Sequence, residues 1–166
     1  MPTRQEIAAR AADAVENAAP FECFVGFDGF IDLILRPVAK RRSMAADDYE
    51  PMRTMADFAA RVGAAAGKST NIETVLVETR FGGNAPLLAG ALGRLGLAVE
   101  FAGAVGASPG TRTPLHKAFV PFAQRCASVV TLGEPSTTAC YEFDDGKLML
   151  NDRANVQAVT WDAVRS

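Results

Sequence analysis

Two adjacent glycines, Gly82-Gly83, followed by Asn84-Ala85-Pro86 and a run of small and apolar residues up to Gly96, restrict this chain more than any other stretch. Paired glycines let a backbone take positive φ and come close to another segment, and proline is tolerated in the first turn of a helix. The stretch therefore predicts a glycine turn that opens a helix over 85–95. Leu88, Leu92 and Leu95 fall on one face of it, and the small residues permit tight packing. Gly96 is placed to cap the helix, and 99–105 reads as a buried strand. A helix N-terminus behind such a pair presents free backbone N–H groups to a polar or anionic group.

A second apolar run, 21–27, reads as a central buried strand, and it ends in Gly26-Phe27-Asp28-Gly29-Phe30-Ile31-Asp32. In open α/β sheets ligands collect beyond the carboxyl ends of strands. A carboxylate held there by apolar neighbours can accept two hydrogen bonds from vicinal hydroxyls. Asp32 is the first candidate for that role. Asp28 is the second, although an aspartate before glycine also fits an Asx turn.

Gly82-Gly83, the Ala-rich helix, Leu95-Gly96 and the following Phe101-x-Gly103-x-Val105-Gly106 together resemble the N-terminal signature of the PfkB (ribokinase-like) carbohydrate and nucleoside kinases. The resemblance implies an α/β fold, a Rossmann-like layered core with a small β lid, and it covers nearly all of the chain but only the first half of such a kinase. It implies that Asp32 grips substrate hydroxyls and that Gly82, Gly83 and Asn84 floor the pocket near the hinge of the lid, with lid segments near 33–80 and 134–152. Two positions depart from the pattern. Leu87 stands where the family commonly carries a substrate-contacting asparagine, leaving Asn84 as the nearby amide, and Ala107-Ser108-Pro109-Gly110 replaces an acidic turn.

The family's ATP site and catalytic base belong to a Gly-Ala-Gly-Asp turn in its C-terminal half, and no such turn occurs in these residues. ATP and Mg2+ are thus expected of a full-length enzyme, with the base beyond Ser166, and this chain is expected to contribute the sugar or nucleoside side of the site. Two other readings stand beside it: a non-catalytic carbohydrate-binding or lid-mediated dimerisation module, and a dinucleotide-binding domain. The glycine pair does not follow the G-x-G-x-x-G spacing of the latter.

Other features bound the function. A net charge of −2 gives no electrostatic case for nucleic acid or an anionic membrane surface. Cys23, Cys126 and Cys140 are scattered in apolar surroundings, which favours reduced thiols in a cytoplasmic protein. No Cys or His pair has metal-ligand spacing, and the lone His116 reads as a surface helix residue. The N-terminus lacks a signal peptide's apolar core, and no stretch reaches the length of a membrane span.

Along the rest of the chain, 3–17 predicts an amphipathic helix capped by Thr3, with Ile7, Ala11 and Val15 in a stripe that packs on the core. The charged, proline-containing segment after Asp32, including Arg36-Pro37 and Asp47-Asp48, reads as a solvated loop. A helix is predicted over 54–66 and an exposed strand over 71–80. Gly63-Ala64-Ala65-Ala66-Gly67-Lys68-Ser69 mimics a phosphate-binding loop but is one residue short and follows a helix; Gly67 reads instead as that helix's cap. A helix is expected over 114–125 and a strand over 128–132. A hairpin follows over 136–143 and 147–151, turning at Asp144-Asp145-Gly146 and pairing with 71–80. Thr137, Thr138 and Tyr141 are further pocket candidates, though strand threonines are also favoured for packing. Arg153-Ala154-Asn155 and Thr160-Trp161-Asp162 resemble the family's return from lid to core.

Overall fold

The computed structural model describes residues 2–17, 21–107 and 114–165. The turn at Ser108-Pro109-Gly110 lies outside them. The chain runs through α1 (Arg4–Glu16), β1 (Glu22–Val25), β2 (Phe30–Arg41), β3 (Tyr49–Pro51), α2 (Met55–Gly63), β4 (Thr74–Gly82), α3 (Asn84–Arg94) and β5 (Ala98–Gly103). A 3-10 turn (Lys117–Phe119) then leads into α4 (Val120–Ala123), β6 (Ser128–Thr131), β7 (Ser136–Phe143), β8 (Gly146–Asp152), α5 (Ala154–Gln157) and α6 (Trp161–Arg165). The result is mixed α/β: a parallel three-stranded sheet, β1-β5-β6, and a five-stranded mixed sheet in which β2 is flanked by β4, β7 and, at its far end, β3.

The parallel sheet carries the core on one face. Val25, Val99, Phe101 and Val129 pack under Ala85 and Ala89 of α3 and under Phe119 and Phe122. Phe122 is fully buried, with ring centroids 5.0 Å from Phe101 and 5.8 Å from Phe81. The buried face of α3 is made of Ala85, Pro86, Ala89 and Gly90, whereas Leu88 and Leu95 are exposed. The predicted leucine face is therefore corrected at Leu88 and Leu95: Leu92 does pack against the core, but small residues occupy the closest contact with the sheet. Gly96, at φ 88°, ends α3 as expected.

β1 is an edge strand, not a central one, and Phe24 on its second face is 55 % exposed. The described side chains of α1 are exposed too, so that helix does not pack on the core as its stripe suggested. Its start does follow the sequence: Glu6 N–H donates to Thr3 Oγ1, and Thr3 N–H donates to a Glu6 carboxylate oxygen at 2.7 Å.

The largest departure is β2. It runs unbroken through Arg36-Pro37, where a loop was expected. Its pairing with β7 ends at Leu35, and Pro37 stands opposite Thr74 of β4 while its carbonyl accepts from Met52 N–H, so the missing proline N–H falls where it interrupts little of the ladder. Buried Ile31, Ile34 and Val38 fix the strand. In consequence β4 pairs with β2 and not with the β7–β8 hairpin, which is otherwise as predicted.

The helix over 54–66 is shorter than expected. Thr54 caps it by accepting from Asp57 N–H, and it ends at Gly63, four residues before Gly67, which sits at φ 75° in the following turns. The expected helix over 114–125 breaks into a bridge at Leu115, the 3-10 turn and the four-residue α4, with Pro121 at the start of the last. His116 is not a surface helix residue. Its half-buried ring caps the 3-10 turn, Nδ1 accepting from Ala118 N–H, and burial, helped by Lys117, lowers its pKa.

Candidate functional site

The loop after β1 delivers Asp28, and the first turns of β2 deliver Asp32, both to the glycine pair. β4 runs antiparallel to β2 with Phe30 opposite Gly82 and Asp32 opposite Arg80. This register lays Asp32 against Gly82: a Cβ there would fall within 2.8 Å of both carboxylate oxygens. A Cβ on Gly83 would be 3.1 Å from Asp28 Oδ1, and Gly83 itself sits at φ 103°. Two carboxylates four positions apart thus lean on two consecutive glycines, which explains why neither glycine carries a side chain.

The carboxylates differ in what they already hold. Asp28 Oδ2 accepts from Asn84 N–H at 3.0 Å and Oδ1 from Ala85 N–H at 2.9 Å. Asp28 therefore caps α3 from a distant segment instead of making a local Asx turn, and it fills the free N–H groups expected at that helix start. Asp32, half-buried, receives no hydrogen bond among the described residues. A partly buried carboxylate without donors is uncommon, because its desolvation is ordinarily offset by hydrogen bonds.

Asn84 contributes its backbone N–H to Asp28, and its side chain is exposed. Asn84 and Asp28, with Val25, Gly26, Phe27, Ala85 and Leu88, line a shallow cleft of about 260 Å3. A larger cleft, about 360 Å3, lies on the other face of the mixed sheet between Ile31, Leu33, Thr137 and the His116 segment, away from Asp32.

Strand parity sorts the three lid candidates. Asp32 is level with Thr138 on β7, which in turn is level with Asn151 on β8. Thr138, 2 % exposed, therefore shares the Asp32 face, and Thr137 and Tyr141 belong to the opposite one. Arg80 completes the row on the β4 side and is paired to Glu78, two residues before it. Neither residue was singled out in the sequence, where the only signal was their alternation with Thr79 and Phe81.

Asn155 Nδ2 donates to Pro135 O, and Ser136 Oγ accepts from Val156 N–H. The stretch that resembled a return from the lid thus ties α5 back to the root of β7.

A sequence model of the prokaryotic ketohexokinase family matches residues 2–166. The chain belongs to this family. It is also similar to a ketohexokinase of Haloferax volcanii, 33% identical over 173 residues that take in all of this chain and 44% of the relative. This ketohexokinase-family chain therefore spans less than half the length of that relative, and membership supports a sugar kinase at the level of the family. Among the described residues, no group of three or more His, Cys, Asp or Glu is arranged to hold a metal ion, and no helix is long and apolar enough to cross a membrane.

Proposed function

We propose that this chain forms the sugar-accepting half of an ATP-dependent kinase that phosphorylates a hydroxyl of a ketohexose or a closely related small carbohydrate. In this reading the parallel sheet and α3 are half of a Rossmann-like, ribokinase-type layered core, and the mixed sheet is its lid. The observation that carries the proposal is the Asp32 carboxylate, half-buried, without a hydrogen bond among the described residues and pressed on Gly82 at the root of that sheet. It accepts two sugar hydroxyls, while Gly82, Gly83 and Asn84 let the ligand approach the backbone. Asp28 acts behind them by holding α3 in place.

The residues present do not fit ATP and Mg2+. Among the described residues the N-terminus of α3 is where a glycine turn opens a long helix, and it is filled by the Asp28 carboxylate; the residues after Gly63, the end of α2, form turns. Phosphoryl transfer needs the phosphates positioned and their charge stabilised. The proposal assigns that work, and the catalytic base, to a part of the enzyme other than these residues. The three free thiols suit a reducing cytoplasm.

Titration calorimetry with D-fructose tests the reading. A hydrogen bond to a charged group contributes roughly 1.5–3 kcal/mol, so Asp32→Ala is expected to weaken binding at least about tenfold. Unchanged affinity removes Asp32 from the site. The alternative, a non-catalytic carbohydrate-binding or lid-dimerisation module, draws on the exposed Leu76 and Val77 of β4 and Met149 and Leu150 of β8. It is favoured if the chain is a stable dimer that Val77→Glu dissociates.

A further inference from the structure

Asp32 has an arginine directly across the ladder and is nevertheless unpaired. In an antiparallel pair, residues opposite one another bring their Cβ atoms to about 5 Å, close enough for an arginine to reach a carboxylate. Arg80 occupies that position opposite Asp32. Its guanidinium instead turns along its own strand to Glu78, which projects from the same face two residues earlier. Glu142, the other carboxylate near Arg80, is itself bonded to Lys147 Nζ at 2.7 Å. Among the described residues, removing Glu78 would leave Asp32 as the carboxylate beside Arg80 that holds no hydrogen bond or ion pair of its own.

We infer that Glu78 is a positioning residue: by engaging Arg80 it keeps the guanidinium off Asp32 and leaves that carboxylate open to sugar hydroxyls. The inference rests on the reading of Asp32 given above. Both members of the Glu78–Arg80 pair are about half-exposed, with side-chain exposures of 48% and 53%, and ion pairs of that kind are weak. The choice of Arg80 between Glu78 and Asp32 is accordingly finely set, and one substitution shifts it. Asp32 captured by Arg80 would compete directly with the ligand, because an arginine fork covers both carboxylate oxygens.

The test is a set of variants of residues 1–166 titrated with D-fructose and followed by amide chemical shifts. Glu78→Ala is expected to weaken binding about threefold to fivefold, the scale of a partly exposed ion pair. Glu78→Ala combined with Arg80→Ala is expected to restore the affinity of the unaltered chain, which a general loss of strand stability would not do. The Arg80 Nε–H signal reports on the contact without sugar. Asp32→Asn should leave it unmoved in the unaltered chain and shift it in the Glu78→Ala background. An Arg80 signal indifferent to Asp32 in both backgrounds overturns the inference, as does Glu78→Ala binding fructose normally while Asp32→Ala does not. If Arg80 responds as expected but neither Asp32→Ala nor Glu78→Ala changes fructose binding, the sugar reading of Asp32 fails and only the ion-pair switch stands.

Discussion

Asp28 Oδ1 accepts the backbone N–H of Ala85, 57 residues further along the chain, at 2.9 Å. That bond, with its companion from Asn84, joins the end of β1 to the start of α3 and holds the glycine turn between the two carboxylates.

Asp28→Ala is expected to destabilise the chain by about 1–2 kcal/mol, the usual cost of losing a helix cap. Asp28→Asn should cost less, because an amide oxygen can still accept one of the two bonds. Urea unfolding of the three proteins measures the order, and equal midpoints for Asp28→Ala and the parent would contradict the cap.

Gly83→Ala combines φ 103°, a conformation that residues with side chains rarely adopt, with a Cβ 3.1 Å from Asp28 Oδ1. A loss of about 1–3 kcal/mol is expected. Gly82→Ala acts differently, since its methyl would displace Asp32. There we expect weakened fructose binding at a smaller cost in stability, a contrast that thermal melts and calorimetry on the two variants resolve.

Phe122 joins the two sheets, touching Phe101 from the parallel sheet and Phe81 at the base of β4. Phe122→Ala should cost about 3–5 kcal/mol by leaving a cavity in the core. Because Phe81 immediately precedes Gly82, hydrogen exchange at the base of β4 should quicken as well.

His116 is the chain's single histidine, and burial holds its pKa below the ordinary 6.5. A depressed base binds protons better when unfolded, so its contribution to stability is present above about pH 6.5 and is lost as pH falls through the folded value. Protonation would also take away the Nδ1 lone pair that accepts from Ala118. Stability measured from pH 7.5 to 5 should therefore decline in the parent, and His116→Asn should flatten that decline.

What could be read in advance followed from local rules. The hairpin turn, the cap at Thr3 and the glycine turn into α3 each depend on a few neighbouring residues whose backbone demands are distinctive. The misreadings came from decisions made at long range. Arg36-Pro37 looked like a loop because no local signal shows that β7 pairs only as far as Leu35. Leu88 and Leu95 looked buried because periodicity does not reveal how closely a helix lies on a sheet. At the candidate site, Asp32 and Gly82 were legible as residue types, but their contact depends on the β2–β4 register. Asp28 was underrated because its partners are more than fifty residues away. The Glu78–Arg80 pair was invisible for the same reason, since its interest comes only from the residue across the ladder.

The parallel sheet packs its core on one side, and on the other Phe24 of the edge strand β1 and Glu100 of β5 face outward. All-parallel sheets are ordinarily covered on both faces, and bare strand rims recruit other backbones. In a test tube this side should make the chain sticky: at rising concentration its amide signals in β1 should broaden first, and dilution or a charge at Phe24 should sharpen them again.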